Sequence, residues 1–132
     1  MKRDVSHRGA STRVFVYGTL LRGEGNHDLL ARAEFVGPAR TPARFALHDL
    51  GGFPGLVAGG EHAIEGEVYI VGPGTLARLD QLEGHPRFYR RAPIALEDGS
   101  TVETYLLPAD RVVGRPVITS GSWRARRRER VA

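Results

Sequence analysis

Short apolar runs separated by turn residues dominate the chain and predict a domain built mainly of strands. Residues 13–17 (R-V-F-V-Y) are β-branched and aromatic, and they predict a strand that ends at Gly18. Residues 64–71 (I-E-G-E-V-Y-I-V) alternate and then become wholly apolar, which predicts a strand that runs into the core. Between these two strands, residues 34–58 are rich in glycine and proline, which favours several short extended pieces over one long element.

The later part of the pattern predicts a hairpin followed by a short strand. Residues 89–97 and 101–107 are predicted as strands, and the Asp98-Gly99 dipeptide between them is typical of tight hairpin turns. Residues 112–118 are predicted to add a last short strand.

The clearest helix is predicted over residues 73–82. Leu76, Leu79 and Leu82 recur every three residues, which gives one apolar stripe that we expect to face the core. Pro73 suits the first turn of a helix, where no backbone N–H is needed.

Many short strands with two short helices predict an α+β fold with a mainly β core, in the form of a small closed barrel. The second helix is predicted over residues 26–33, with Asn26 as its cap. The 132 residues suit one domain, which we place at residues 13–123. Residues 1–12 lack periodicity and are predicted to be a disordered leader, and residues 124–132 are predicted to be a basic C-terminal tail.

The distribution of charge argues against a nucleic-acid-binding domain. The net charge is +4, and the last nine residues hold five arginines and one glutamate, which accounts for the whole excess. The rest of the chain, with 14 basic and 14 acidic residues, is neutral. Blocks of like charge at a terminus are commonly solvated, so nucleic acid is not an expected partner, and a polyanion partner for the tail is the third-ranked interpretation.

Several other classes of protein are excluded or disfavoured by residue type. The chain has no cysteine, so it has no disulfide, thiolate metal site or cysteine nucleophile. Its five histidines are scattered, and no metal site is expected. No apolar run approaches the ~20 residues of a membrane-spanning helix, and the polar start of the chain lacks the apolar stretch of a signal peptide. We therefore expect a cytoplasmic protein without membrane association.

Two segments combine residue types that suit chemistry, and the first is Tyr17-Gly18-Thr19-Leu20. Here a strand ends at a glycine, which lets the chain turn sharply and expose consecutive backbone N–H groups. Such groups can hold an anion or the oxyanion of a reaction intermediate. An ordinary strand-to-loop turn would have the same sequence, so this segment alone does not decide between the two.

The second segment ends the longer predicted helix. Glu83 follows Leu82, and Gly84 and Pro86 then stop the helix. The negative end of the helix dipole disfavours a carboxylate at this position. A half-buried glutamate held there would have a raised pKa and could act as a base near neutral pH. By residue type alone, a solvated glutamate at a fraying helix end is the more common case.

Taken in order, the motifs of the chain resemble those of the γ-glutamylcyclotransferase-like family. They are V-F-V-Y-G-T-L-L-R-G, N-H-D-L-L, E-G-E-V-Y, L-D-Q-L-E-G-H-P-R-F-Y-R-R and, near the end, S-G-S-W. Each motif is short, but together they extend from Val14 to about Trp123 in the family's order, and they look closest to the γ-glutamylamine cyclotransferase branch. The resemblance implies a compact mixed β-barrel with flanking helices.

The resemblance also implies a reaction and the residues that carry it. A γ-glutamyl amide is cleaved without water, because the substrate's own α-amine attacks its γ-carbonyl and releases 5-oxoproline and a free amine. No cofactor is implied. The catalytic glutamate of the family falls on Glu83, and the substrate-holding turn falls on Tyr17, Gly18, Thr19 and Leu20.

Four further residues are assigned to substrate binding by the same resemblance. Tyr89 matches the aromatic residue after the glutamate, Tyr105 matches a tyrosine late in the following strand, and Arg22 and Asn26 are attached to the same site. As an alternative, Tyr89 and Tyr105 would simply pair across the hairpin. The expected partner is a small γ-glutamyl substrate, and the oligomeric state is left open.

A non-catalytic relative that binds a small molecule or a partner in the same pocket is the alternative function. Glu83 favours an enzyme, because a pure binding module has no need of that carboxylate. Residues 51–55 (G-G-F-P-G) do not indicate the leaving amine, which could be a lysine-type amine, an amino acid or an intermediate of natural-product synthesis.

Overall fold

The computed structural model describes residues 11–126, which form seven strands and one α-helix. The strands are β1 (Thr12–Val16), β2 (Glu34–Arg40), β3 (Phe45–Asp49), β4 (Pro54–Ala58), β5 (Glu65–Val71), β6 (Arg90–Ala95) and β7 (Thr101–Leu106). The helix α1 spans Pro73–Glu83, and two short 3-10 segments span His27–Leu30 and Ala109–Arg111. The predicted α+β class is confirmed. No helix within the described range is long and apolar enough to cross a membrane.

Five strands form one mixed sheet in the order β2-β5-β1-β7-β6, and β3 and β4 form a separate hairpin. Neighbours in the large sheet are antiparallel, except for β1 and β7, which run parallel. The predicted apolar run places Val14, Phe15 and Val16 of β1 in the core, where all three are buried. The end of β1 is therefore held in the middle of the sheet, and the turn that follows it starts from a fixed position.

The strands do not close into the predicted barrel. β2 and β6 are the two edges of the large sheet, and among the described residues no hydrogen-bonded ladder joins them. A backbone bond from Glu97 N–H to Arg40 O (2.8 Å) and an ion pair between the two side chains (3.9 Å) connect one end of the gap. In β2, the pairing register shifts between Phe35 and Gly37, and Pro38 has no N–H to donate, which are features of edge strands.

Helix α1 begins at the predicted residue and ends one residue later. Pro73 lies in its first turn, and Gly84 follows its last residue in the left-handed conformation (φ 68°). Leu79 is fully buried, as the apolar stripe predicts, but Leu82 is 43% exposed. A spacing of three residues turns each leucine by about 60° from the last, so Leu82 leaves the core face.

Two local predictions are wrong. The predicted helix over residues 26–33 is only the 3-10 segment, and the Asn26 side chain makes no cap bond to it. The predicted strand over residues 112–118 is a series of turns, and Val117 makes only an isolated bridge to His48. Gly114, with a φ of 77°, and Pro116 both interrupt an extended run.

The first arginines of the predicted tail contact the domain. The guanidinium of Arg124 lies 3.2 Å from a carboxylate oxygen of Glu67. The guanidinium of Arg126 lies 3.4 Å from the ring centroid of Trp123, which is buried. The rest of the tail from residue 127, and residues 1–10 of the predicted leader, lie outside the described residues, so those two assignments stay predictions.

Candidate active site

A cavity of about 400 Å³ opens where several segments distant in the sequence converge. Its walls come from the end of β1, the tip of the β3–β4 hairpin, the end of α1, the segment before β6, and β7. The lining residues are 15–20, 52–54, 82–84 and 88–89, together with Asn26 and Tyr105. Every predicted site residue except Arg22 therefore lines one cavity. Within residues 11–126, no group of three or more His, Cys, Asp or Glu is arranged to hold a metal ion.

Glu83 ends α1 and is the one charged side chain that lines the cavity within residues 11–126. After Gly84 the chain folds back over the helix end, where His85 N–H donates to Asp80 O (2.9 Å) and Tyr89 N–H donates to Glu83 O (3.2 Å). Burial raises the pKa of the Glu83 carboxyl from its ordinary 4.5 to about 7. A group with this pKa can both accept and return a proton near neutral pH.

The turn after β1 is braced by the 3-10 segment. Asn26 donates twice to Thr19, from its backbone N–H to the carbonyl and from Nδ2 to Oγ1, both at 2.9 Å. The Nδ1 atom of His27 lies 2.8 Å from the carbonyl oxygen of Leu20. The backbone N–H groups of Gly18, Thr19 and Leu20 donate to no acceptor within residues 11–126. Three consecutive free donors on a braced turn at a cavity wall suit an anionic group.

Gly18 is required at its position by the close approach of Pro54. A Cβ at residue 18 would lie 2.5 Å from Cγ of Pro54, and real Cβ atoms do not come so close to another carbon. The carbonyl of Pro54 also accepts a hydrogen bond from the hydroxyl of Tyr89 (2.5 Å). The hairpin tip is thereby held against both the turn and Tyr89, which fixes one wall of the cavity.

Three tyrosines line the cavity, and their hydroxyl protons are already engaged. Tyr17 donates to the carbonyl of Tyr105 (2.6 Å), Tyr89 donates to Pro54, and Tyr105 donates to Oδ1 of Asp80 (2.7 Å). Burial raises the pKa of each phenol above its ordinary value, so all three stay neutral in the physiological range. Their oxygens can accept hydrogen bonds, but Glu83 is the one titratable group of the cavity suited to act as a base.

The sequence prediction did not include the group that holds Tyr105. Asp80 binds Arg91 through two contacts, of 2.9 and 3.2 Å, and accepts the bond from Tyr105 on the same carboxylate. Arg91 also contacts Glu103 (3.2 Å), and its backbone N–H donates to Nδ1 of His85 (3.0 Å). Burial opposes ionisation of Asp80, but the bonds from Arg91 and Tyr105 outweigh it and hold its pKa below the usual range.

Arg22, which the sequence prediction attached to substrate binding, lies outside the cavity. Its guanidinium is 3.8 Å from the ring centroid of Phe35, and its backbone N–H donates to Glu67 (3.0 Å). Glu67 also accepts a bond from the hydroxyl of Tyr69 (3.1 Å) and pairs with Arg124. Burial opposes ionisation of Glu67, but these partners hold its pKa below the ordinary value. Arg22 therefore lies beside a separate cluster, in which Glu67 pairs with Arg124.

Comparison with known proteins places the chain in a family. The family described as "Gamma-glutamyl cyclotransferase, AIG2-like" matches residues 14–125. A Vibrio cholerae protein, provisionally named as a γ-glutamylcyclotransferase, is 44% identical over 110 residues, which is 83% of this chain and 93% of its own length. Escherichia coli YtfP, named as a γ-glutamylcyclotransferase family protein, is 36% identical over 112 residues, covering 84% of this chain and 95% of its own.

A solved structure agrees with these sequence matches. The crystal structure of a protein specific to uropathogenic Escherichia coli superposes with a TM-score of 0.75 at 29% identity, over 86% of this chain and 93% of that protein. The family that matches is the one that the order of motifs predicts. The chain therefore belongs to the γ-glutamyl cyclotransferase, AIG2-like family.

Proposed function

We propose that the protein releases 5-oxoproline and a free amine from a γ-glutamyl amide, with Glu83 as the general base and acid. The observation that carries the proposal is the Glu83 carboxyl itself. It lines a cavity beside the Tyr17-Gly18-Thr19-Leu20 turn, and burial brings its pKa to about 7. Membership of the family supports the same chemistry.

The reaction begins with a proton transfer. At neutral pH the α-amine of a γ-glutamyl amide is mostly an ammonium group, because the neighbouring α-carboxylate keeps its pKa above the roughly 7.7–8.0 of a peptide α-amino group. The ammonium nitrogen has no free electron pair and cannot attack. Glu83, in its ionised form, accepts one proton, and the α-nitrogen then attacks the γ-carbonyl carbon to close a five-membered ring. Both reacting atoms belong to one molecule, so the cavity contributes by holding the conformer in which they are close.

The attack moves an electron pair onto the γ-carbonyl oxygen. The free N–H groups of Gly18, Thr19 and Leu20 suit this oxyanion or the substrate's α-carboxylate, which are the two anionic groups of the reacting molecule. The intermediate collapses when the bond from the γ-carbon to the leaving nitrogen breaks. Two protons leave the α-nitrogen in all, and the leaving amine gains two through Glu83, so the products are a lactam and an ammonium and no water is consumed.

Release of 5-oxoproline from a panel of γ-glutamyl amides tests the proposal. Wild-type protein is compared with Glu83→Gln and with Glu97→Gln, a matched control whose carboxylate is in a surface ion pair. We expect release by the wild type and the control and a loss of about 10²–10⁴-fold for Glu83→Gln, the usual contribution of a general base. Equal rates for wild type and Glu83→Gln would refute the role of Glu83. No release from any amide would refute the reaction and favour the binding relative, which calorimetric titration with the same amides would detect.

A further inference from the structure

One wall of the cavity is apolar and extends to the protein surface. Phe53 at the hairpin tip, Leu82 in the last turn of α1, and Phe88 line this wall. Phe53 is 37% exposed and Leu82 is 43% exposed. Apolar side chains that are grouped and exposed at the mouth of a cavity are typical of a surface that contacts a ligand. None of these three side chains has a part in the proton transfers described above.

The rings of this wall form a continuous series that leads inward. The centroids of Phe53 and Phe88 are 6.3 Å apart in an edge-to-face arrangement, and those of Phe88 and Tyr89 are 5.1 Å apart at 83°. Tyr89 is buried beside the other tyrosines of the site. The glutamyl part of a substrate carries an ammonium and a carboxylate, which match Glu83 and the free N–H groups of the turn. The amine part is therefore left to face the apolar wall.

The hairpin tip that presents Phe53 is held in place by its own bonds. Leu50 N–H donates to the carbonyl of Phe53 (2.9 Å), and Gly51 N–H donates to Oδ1 of Asp49 (2.9 Å). The next residue, Pro54, is fixed by its contact with Gly18 and by the bond from Tyr89 described above. A wall that is ordered before the ligand arrives loses little conformational entropy on binding.

The same wall offers no partner for a second positive charge. Glu83 is the one carboxylate that lines the cavity within residues 11–126, and the α-ammonium of the substrate engages it. Aromatic faces can attract a cation, but the guanidinium of Arg111 already lies 4.9 Å from the centroid of Phe88. Arg111 is held there by a bond to the carbonyl of Arg87 (3.2 Å). A second ammonium at this wall would lose its hydration without a carboxylate counterion, beside a Phe88 ring that already carries a guanidinium.

We infer that the leaving amine of the substrate is apolar or aromatic, carries no second positive charge, and is selected by Phe53 and Phe88. This inference rests on the proposed function, because only an amide substrate has a leaving amine. Amides of alkylamines, aromatic amines and apolar amino acids fit this wall. Amides of diamines and of the lysine side chain do not fit it.

Two substrates of equal length separate charge from size. One is γ-glutamyl-n-hexylamide, and the other is the mono-γ-glutamyl amide of 1,5-diaminopentane, in which an ammonium replaces the terminal methyl group. We expect kcat/KM for 5-oxoproline release to be at least about tenfold higher for the hexylamide than for the diamine amide. A factor of about ten is the lower end of the discrimination that an apolar pocket gives between similar substrates. γ-Glutamyl-methylamide, which has no chain to reach the wall, is expected to be about tenfold or more below the hexylamide.

Variants of the wall test which side chains are responsible. Phe88→Ala and Phe53→Ala are each expected to lower the hexylamide-to-methylamide ratio of kcat/KM by about tenfold. Phe35→Ala is the matched control, because Phe35 also lies under an arginine but does not line the cavity, and it is expected to leave the ratio unchanged. Arg111→Glu is expected to improve the diamine amide relative to the hexylamide by about threefold at low salt, and high salt should remove the improvement.

Calorimetric titration of Glu83→Gln with the two equal-length amides measures the preference without turnover. Equal or tighter binding of the diamine amide, or an unchanged ratio in both phenylalanine variants, would overturn the inference. Release of 5-oxoproline by the wild type without any preference would overturn the inference and leave the proposed function in place. A preference for the hexylamide in binding, with no release by the wild type, would support the apolar wall and overturn the proposed function.

Discussion

The buried Glu67 and the half-buried Glu83 differ in their partners, and this difference decides how readily each carboxyl ionises. Glu67 is 7% exposed, yet it receives bonds from the backbone of Arg22, the hydroxyl of Tyr69 and the guanidinium of Arg124, and its pKa is lowered. No donor within residues 11–126 bonds to the Glu83 carboxyl, and burial raises its pKa to about 7. Burial alone therefore does not predict a reactive carboxylate, and a carboxylate that is shielded from water and lacks partners is the better candidate.

The largest expected effect is on the pH dependence of the rate. Glu83 must be ionised to accept a proton, so kcat/KM should rise about tenfold per unit up to a pH of about 7 and then level off. The rate at pH 5 should be about 100-fold below that at pH 8, measured as 5-oxoproline release. Glu67→Gln should show the same midpoint. A flat profile between pH 5 and 8 would contradict the assignment of Glu83 as the base.

The next effect is on stability, where the two glutamates should show opposite signs. The pKa of Glu83 is higher in the folded state than in the unfolded state, so its ionisation costs stability as the pH rises from 4.5 to about 7. Glu83→Gln should then stabilise the protein at pH 8 by on the order of 1–3 kcal/mol and have little effect at pH 4.

Glu67 should behave in the reverse manner. The pKa of Glu67 is lower in the folded state than in the unfolded state. Ionised Glu67 therefore stabilises the fold above its unfolded-state pKa, and this stabilisation is lost as the pH falls through its folded-state pKa. Glu67→Gln should destabilise the protein at pH 8 by about 1–3 kcal/mol, because buried donors lose a charged acceptor. Thermal unfolding of Glu83→Gln and Glu67→Gln at pH 4 and pH 8 measures both changes in stability. Destabilisation by both substitutions at pH 8 would contradict the comparison.

A smaller effect is expected from the group that holds Tyr105. Asp80→Asn removes the ion pair with Arg91 and weakens the bond from the tyrosine hydroxyl. We expect kcat to fall by about tenfold, the order that follows from loosening a residue at the site, while the midpoint of the pH profile stays at that of the wild type. A shifted midpoint would show that Asp80 acts on Glu83 by its charge. Arg40→Ala, which removes an exposed ion pair, is the control.

The smallest effect is expected from Arg124, which joins the start of the predicted tail to Glu67. Its side chain is 44% exposed, so Arg124→Ala should cost less than about 1 kcal/mol of unfolding free energy and leave the rate of 5-oxoproline release unchanged. Chemical denaturation and the rate assay together check this. A large loss of rate would show that the segment has a role in catalysis.

Features that depend on neighbouring residues could be predicted from the sequence. The apolar run of β1, the proline and glycine that bound α1, and the Asp98-Gly99 turn all act within a few residues. The position of Glu83 after Leu82 was also a local signal. The glycine singles out the turn at residues 17–20, but only the resemblance assigns it to the substrate, since its tetrapeptide fits an ordinary loop equally well.

Features that depend on distant pairs could not be predicted in this way. The open edge between β2 and β6 follows from strand pairing across the whole chain, and the motif L-D-Q-L-E gave no sign that Asp80 would meet Tyr105, 25 residues later. The contact of Pro54 with Gly18 and the bond from Tyr89 have the same origin. The resemblance attaches Arg22 to the site, but the chain directs its side chain to Phe35.

The separation of the β3–β4 hairpin from the large sheet divides the site into two modules. The large sheet and α1 carry the base and the turn, and the hairpin carries Phe53 on a tip that shares no ladder with the large sheet among the described residues. Hairpin tips tolerate changes of length and sequence that a central strand does not. Substrate range in proteins with this architecture can therefore diverge at the tip while the reaction centre stays constant, provided that Pro54 keeps its contact with Gly18.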